Sequence, residues 1–247
     1  MNNYLIEFRF FGKAKKEMKR LIYRVQNKFN LPKKRAVPHI TLVGGLTTNN
    51  EKKLISDFKQ ICDNSTLTSF KIQGYGVFKD NRVVFVNIKS SEKLQTFRWE
   101  LSKKLQPYCK LKFHDYKEKF EFHSTIAMNL DHNKFKQIKN YIESIKEPEF
   151  KHFMLRATLL KNGKILREYD FMQRRLLNRH EAKNKSVYKK TMALLKEFFV
   201  GDYSSNKNIL GLQPNLESIK NPQKVNELKK EKSNSLKDKI LEFFKLK

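Results

Sequence analysis

A chain of 247 residues can bury a sizeable core without staples, and its two cysteines, Cys62 and Cys109, show neither CxxC nor metal-ligand spacing, so a disulfide framework is not expected. Lys and Arg number 53 against 25 Asp and Glu, a net charge of +28 that points to a polyanionic partner, nucleic acid ahead of a membrane surface; a base composition that inflates lysine throughout is the other source of such charge. Glu7 and Arg9 break the first apolar run and no later run nears the ~20 residues of a membrane span, so neither a secretory leader nor a membrane-spanning protein is expected, and a cytoplasmic location is.

Residues 3–11 read as a first strand ending at Gly12. Met18, Leu21, Ile22, Val25 and Phe29 then fall at helical spacing up to Pro32. A short apolar strand over about 37–44 follows, containing Pro38-His39-Ile40-Thr41-Leu42, with Gly44-Gly45 as its expected end. Thr48-x-x-Glu51 has the form of a capping box before a helix carrying Leu54, Ile55, Phe58, Ile61 and Cys62. Phe70 to Phe78 alternates as a strand, with Gly74 and Gly76 on one side where a backbone or ligand can come close.

After the turn 79–81 the order begins again. A strand at 82–88, a helix with Leu94, Phe97, Leu101 and Leu105, a polar loop to about 120, and a strand at 121–130 containing His123-Ser124-Thr125-Ile126 follow one another. Asp131 is the expected N-cap of a helix with Phe135, Ile138, Ile142 and Ile145. One strand near 150–161, the turn Lys161-Asn162-Gly163-Lys164 and a strand near 165–171 make a closing hairpin. Two half-chains, 3–79 and 82–161, thus repeat strand, helix, His-x-Thr strand, helix, strand, which predicts two similar lobes about a pseudo-twofold axis with both motifs facing one cleft.

The character changes after Met172. Residues 173–200 begin basic and continue as a helix with Tyr188, Leu195, Phe198 and Phe199; 201–222 reads as a linker and 223–247 as a Lys/Glu-rich helix with Leu236, Ile240, Phe243 and Phe244. The expected division is a domain over 1–172 and a basic helical extension over 173–247. The extension either lengthens an RNA-binding track or packs on a lobe or a second copy.

Side chains alternate across a strand, so His-x-Thr sets an imidazole and a hydroxyl side by side on one face. With six His and nine Thr, two such pairs arise by shuffling at ~2%. A neutral imidazole can take a proton, an imidazolium can give one, and threonine hydroxyls can donate to phosphate oxygens as charge builds. That combination suits metal-free acid/base cleavage of a phosphodiester by His39, Thr41, His123 and Thr125. No metal set is expected, because Asp115 and Asp131 lack ligand spacing, and no cofactor is implied. His114, His132, His152 and His180 have no paired context and read as surface or loop residues.

The sequence resembles the 2H phosphoesterase superfamily, and within it the 2′-5′ RNA ligase and 2′,3′-cyclic nucleotide phosphodiesterase-like proteins. The resemblance covers about residues 1–172. It rests on 38–42 and 123–126, supported by Gly76-Val77-Phe78, by Arg82-Val83-Val84-Phe85, and by 155–160 with Gly163 and Tyr169. Phe122 stands where the family often has Pro. The resemblance implies a bilobal α+β fold with antiparallel sheets around a central cleft lined by His39, Thr41, His123 and Thr125. It also implies opening of 2′,3′-cyclic phosphates on RNA ends or nucleotides to 2′-phosphates, or the joining and cleaving of 2′-5′ linkages, including those of cyclic or 2′-5′ oligonucleotides. Aromatic residues commonly hold the base in such sites, which makes Phe8, Phe10, Tyr75 and Phe78 candidates as well as core residues; Arg82 or Arg156 is the candidate phosphate contact. A module that captures RNA or a nucleotide without turnover is the alternative.

Overall fold

The computed structural model describes residues 2–32 and 37–200. Its elements run β1 (Asn3–Arg9), α1 (Gly12–Lys28), β2 (His39–Thr47), α2 (Glu51–Asp63), β3 (Thr68–Phe78), β4 (Val83–Ser90), α3 (Glu92–Leu105), a 3-10 turn (Phe113–Tyr116), β5 (His123–Ala127), α4 (His132–Glu143), β6 (Glu149–Met154), β7 (Arg156–Lys161), β8 (Lys164–Asp170), β9 (Arg175–Asn178), α5 (Arg179–Lys183) and α6 (Lys185–Val200). This is an α+β fold with two antiparallel sheets, ordered β2-β1-β7-β8-β9 and β5-β4-β3-β6.

The repeat seen in the sequence is present, with an exchange of strands. Each His-x-Thr strand is the edge of its sheet and pairs with the first strand of its own half, β2 with β1 and β5 with β4. The last strand of each half crosses over: β3 pairs with β4 of the second half, and β7 returns to pair with β1 of the first. Helices cross in the same sense, α1 touching β5 and α3 touching β2. The expected single strand at 150–161 is therefore two. It breaks at buried Leu155, where the chain leaves β3 for β1 in the other sheet.

Local chemistry explains most boundaries. Asp131 caps α4 by accepting from the Lys134 amide at 2.8 Å. Asn50, not Thr48, caps α2, accepting from the Lys53 amide at 3.0 Å, while the Thr48 hydroxyl accepts from the Asn50 amide and donates to the Tyr108 carbonyl. Strand β2 does not stop at Gly44-Gly45. It bulges there, with Gly45 at φ +59°, and continues to Thr47. The core includes Ile6, Phe8, Ile40 and Leu42 from the strands and Met18, Ile22, Val25, Leu54 and Phe58 from the helices, all under 6% exposed. Each such side chain stabilises the fold by about 1.5–3 kcal/mol on area alone.

Two compact units partition the chain, 1–183 and 184–247. In the first, the expected division after Met172 falls inside a sheet, since β9 pairs with β8 from Arg167↔Asn178 to Asp170↔Arg175. In the second, Asn184 caps α6 by accepting from the Ser186 amide at 2.7 Å. The expected linker 201–222 and helix 223–247 lie outside the described residues. Cys62 and Cys109 are buried free thiols, and burial raises the proton affinity of both. No helix among the described residues is long and apolar enough to cross a membrane.

Candidate active site

Strands β2 and β5 adjoin, so the two His-x-Thr motifs meet. All four side chains are half-buried. The two imidazoles are held alike by their own strands. His39 Nδ1 lies 2.8 Å from the Val37 carbonyl and His123 Nδ1 lies 3.0 Å from the Glu121 carbonyl, both two residues back. A carbonyl only accepts, so Nδ1 carries the proton in each ring and Nε2 is left to exchange one. The rings are close enough for charge on His39 to lower the proton affinity of His123.

The neighbours across the register differ between the halves. Beside His39 and Thr41 on β2 stand Arg9 and Glu7 of β1. Glu7 is 2% exposed, lies 3.7 Å from His39 Nε2, and accepts from the Arg9 guanidinium through its other oxygen. Beside His123 and Thr125 on β5 stand Asn87 and Phe85 of β4. The His123 ring packs 4.9 Å from Phe78 at 89° and 5.0 Å from Phe85. Burial by these rings depresses its proton affinity below the ordinary value of 6.5; the charges of His39 and His114 act in the same direction, against the backbone hydrogen bond and charge of Glu121.

Gly76 makes this packing possible. A Cβ there would lie 2.3 Å from Phe85 Cε2 and 2.7 Å from Asn87 Oδ1, so only glycine leaves the ring its place beneath His123. Asn87 is fixed in turn by donating from Nδ2 to the Tyr75 carbonyl at 2.8 Å.

Among the residues singled out in the sequence, Phe78 joins the site. Phe8 and Phe10 do not share its face: they are 1% and 3% exposed in an aromatic cluster with Phe70 and His152. Tyr75 pairs with Val86 on the face opposite Phe85, and its hydroxyl donates to the Lys146 carbonyl. Arg82 is exposed in the β3–β4 turn. Arg156 is clamped between Glu168 at 3.0 Å and Asp170 at 2.8 Å. Sequence reasoning passed over Glu7, Arg9, Phe85, Asn87 and His114. The first two carried a signal, being charged residues alternating with Phe8 and Phe10 in an apolar strand.

His114 approaches the two motifs from the loop before β5, near enough for its charge to act on His123. Its Nε2 lies 3.7 Å from where a Gly44 side chain would begin, and that same point is 3.1 Å from Thr41 Cγ2. The loop is anchored beneath by Asp115, which accepts from the Gly44 amide at 3.1 Å and from fully buried Arg98 at 3.0 Å. Arg98 also donates to the carbonyls of His114 and Lys117. Among the described residues no group of three His, Cys, Asp or Glu is placed to hold a metal ion.

The family model described as the 2′-5′ RNA ligase superfamily matches residues 14–160, which include both motifs. No curated protein matches the chain. Similar solved structures include a phosphoesterase (15% identity, TM-score 0.47, covering 68% of this chain and 97% of that one). Others are apo LigT from E. coli (16%, 0.45, 72% and 94%) and Usb1 from Kluyveromyces marxianus (9%, 0.44, 66% and 96%).

Proposed function

We propose that this chain, which belongs to the 2′-5′ RNA ligase superfamily, opens a 2′,3′-cyclic phosphate on an RNA end or nucleotide to a 2′-phosphate by metal-independent acid/base catalysis. The observation that carries the reading is the neighbouring pair of imidazoles on adjoining strands, each with Nδ1 tied to a carbonyl and Nε2 left to exchange a proton.

The unequal surroundings of the two rings divide the roles. His123, kept neutral by its aromatic neighbours, takes the proton of the attacking water through Nε2. As the water oxygen bonds to phosphorus, the bond from phosphorus to O3′ breaks. His39, with the Glu7 carboxylate 3.7 Å from Nε2 to balance an imidazolium, gives its proton to O3′. Thr41 and Thr125 donate to the two non-bridging oxygens, where charge accumulates, and Arg9 on the adjoining strand offers a cation beside His39. Joining or cleaving a 2′-5′ linkage would use the same groups with a ribose hydroxyl in place of water.

A panel of 2′,3′-cyclic mononucleotides, cyclic-ended oligoribonucleotides and 2′-5′-linked dinucleotides, analysed by mass, tests the reading. His39→Ala and His123→Ala should each lower the rate by about 10²–10⁴, with wild-type turnover surviving EDTA. Full activity in the double variant, or tight binding with no turnover across the panel, refutes it; the second outcome favours capture alone.

A further inference from the structure

The loop 110–120 runs beside β2 away from the two motifs, in a register that can be followed residue by residue. His114 lies against Gly44, the Lys112 side chain lies across Gly45, and Lys110 pairs with Thr47. At ~3.3 Å per strand residue, the path from Thr41 to Thr47 covers about 20 Å. It ends at a cavity of about 690 Å³ lined by Asn50, Tyr108, Lys110 and Tyr116, a size within the range of small-ligand sites.

Charge and exposure along this path are lopsided. Apart from buried Asp115, the loop carries Lys110, Lys112, Lys117 and Lys119 against Glu118, all exposed. Phe113 is 76% exposed and Tyr116 48%, and Lys117 Nζ sits 4.3 Å over the Phe113 ring. Aromatic faces that alternate with lysines match the alternating bases and phosphates of a single strand, and stacking on such a face accepts any base because every base has a π-face. The loop is also held ready. Arg98 and Asp115 fix its backbone from below, so little order is lost when a strand binds.

We propose that the loop 110–120 is a binding track for single-stranded RNA. It would stack bases on Phe113 and Tyr116, pair phosphates with Lys110, Lys112 and Lys117, and lead the terminal phosphate past His114 into the cleft. This rests on the reading of the cleft as a nucleotide phosphodiesterase and narrows its substrate class to oligonucleotide ends over free mononucleotides.

The test compares a single-stranded RNA of about ten nucleotides ending in a 2′,3′-cyclic phosphate with the corresponding cyclic mononucleotide. Replacing Phe113 and Lys112 together by alanine should lower kcat/KM on the RNA about tenfold or more, mostly through KM, and the RNA-to-mononucleotide ratio should fall by the same factor. Tyr23→Ser, at another exposed aromatic outside this surface, should leave the ratio unchanged. An unaltered ratio in the loop variant overturns the proposal. Should the wild-type protein turn over neither substrate, the phosphodiesterase reading fails, and fluorescence anisotropy with the same RNA decides the track on its own: tenfold weaker binding by the loop variant sustains it. Equal binding by the two proteins, or equal affinity for a duplex of the same sequence, discards it.

Discussion

Replacing Gly76 by alanine probes the link between the second sheet and His123. The new Cβ would lie 2.3 and 2.6 Å from the Phe85 ring and 2.7 Å from Asn87 Oδ1, against the ~3.5–4 Å of ordinary carbon contact. The ring must therefore move by more than ~1 Å, and it has little room, with Phe78 at 4.4 Å and His123 at 5.0 Å. Gly76 does not occupy the left-handed region, so the cost is steric, about 1–3 kcal/mol as for other overpacked cores. For a unit of this size that lowers Tm by about 2–4 °C per kcal/mol. Because the displaced ring supports an imidazole, kcat should fall about tenfold to a hundredfold. Thermal unfolding of Gly76→Ala, Phe85→Ala and the double variant gives the decisive reading. If the clash is the cause, the double variant loses less than the sum of the two single losses, by about 1–3 kcal/mol. Strict additivity would refute the reasoning.

Further expectations follow from other sites. His152, 1% exposed among Phe8, Phe10, Phe11 and Phe70, has its proton affinity pushed down by burial from 6.5 to about 3. The unfolded chain binds that proton below pH ~6.5 while the folded chain does not, so stability falls by about 1.4 kcal/mol per unit as pH drops from there toward 3. Chemical denaturation of His152→Leu between pH 7 and pH 5 should show a shallower loss than wild type, and parallel curves would contradict this. The acid limb of kcat/KM should lie below the pKa of free imidazole, because His123 is depressed. Phe78→Ala, which lets water reach that ring, should move the limb upward in a pH–rate profile. Asp115→Ala leaves Arg98 buried without its counter-charge and should cost about 3–5 kcal/mol of stability in urea unfolding.

How far the fold could be read ahead of the structure depends on the range of the interactions involved. Met18, Ile22 and Val25 mark α1 by spacing alone, and Asp131 marks the start of α4, because both signals act within a few residues. The strand at 150–161 could not be divided on the same grounds. Its two parts are equally apolar, and the break at Leu155 exists because β3 and β1 lie in different sheets. Thr48 and Asn50 both have capping side chains, and the contact of Thr48 with the distant Tyr108 carbonyl leaves Asn50 as the cap.

The candidate site divides along the same line. The sequence by itself determined the four catalytic candidates, since period-two alternation is a property of any strand and places His39 beside Thr41 and His123 beside Thr125 wherever the strands go. Tertiary structure alone decided what surrounds them. Pairing register sets Glu7 and Arg9 against the first motif and Phe85 and Asn87 against the second. A buried ion pair seventeen residues apart in the chain brings the His114 loop against β2. Register and long-range ion pairs are energies between segments, which no local pattern encodes, and for that reason the near-symmetry of the two motifs in sequence becomes a chemical difference only after folding.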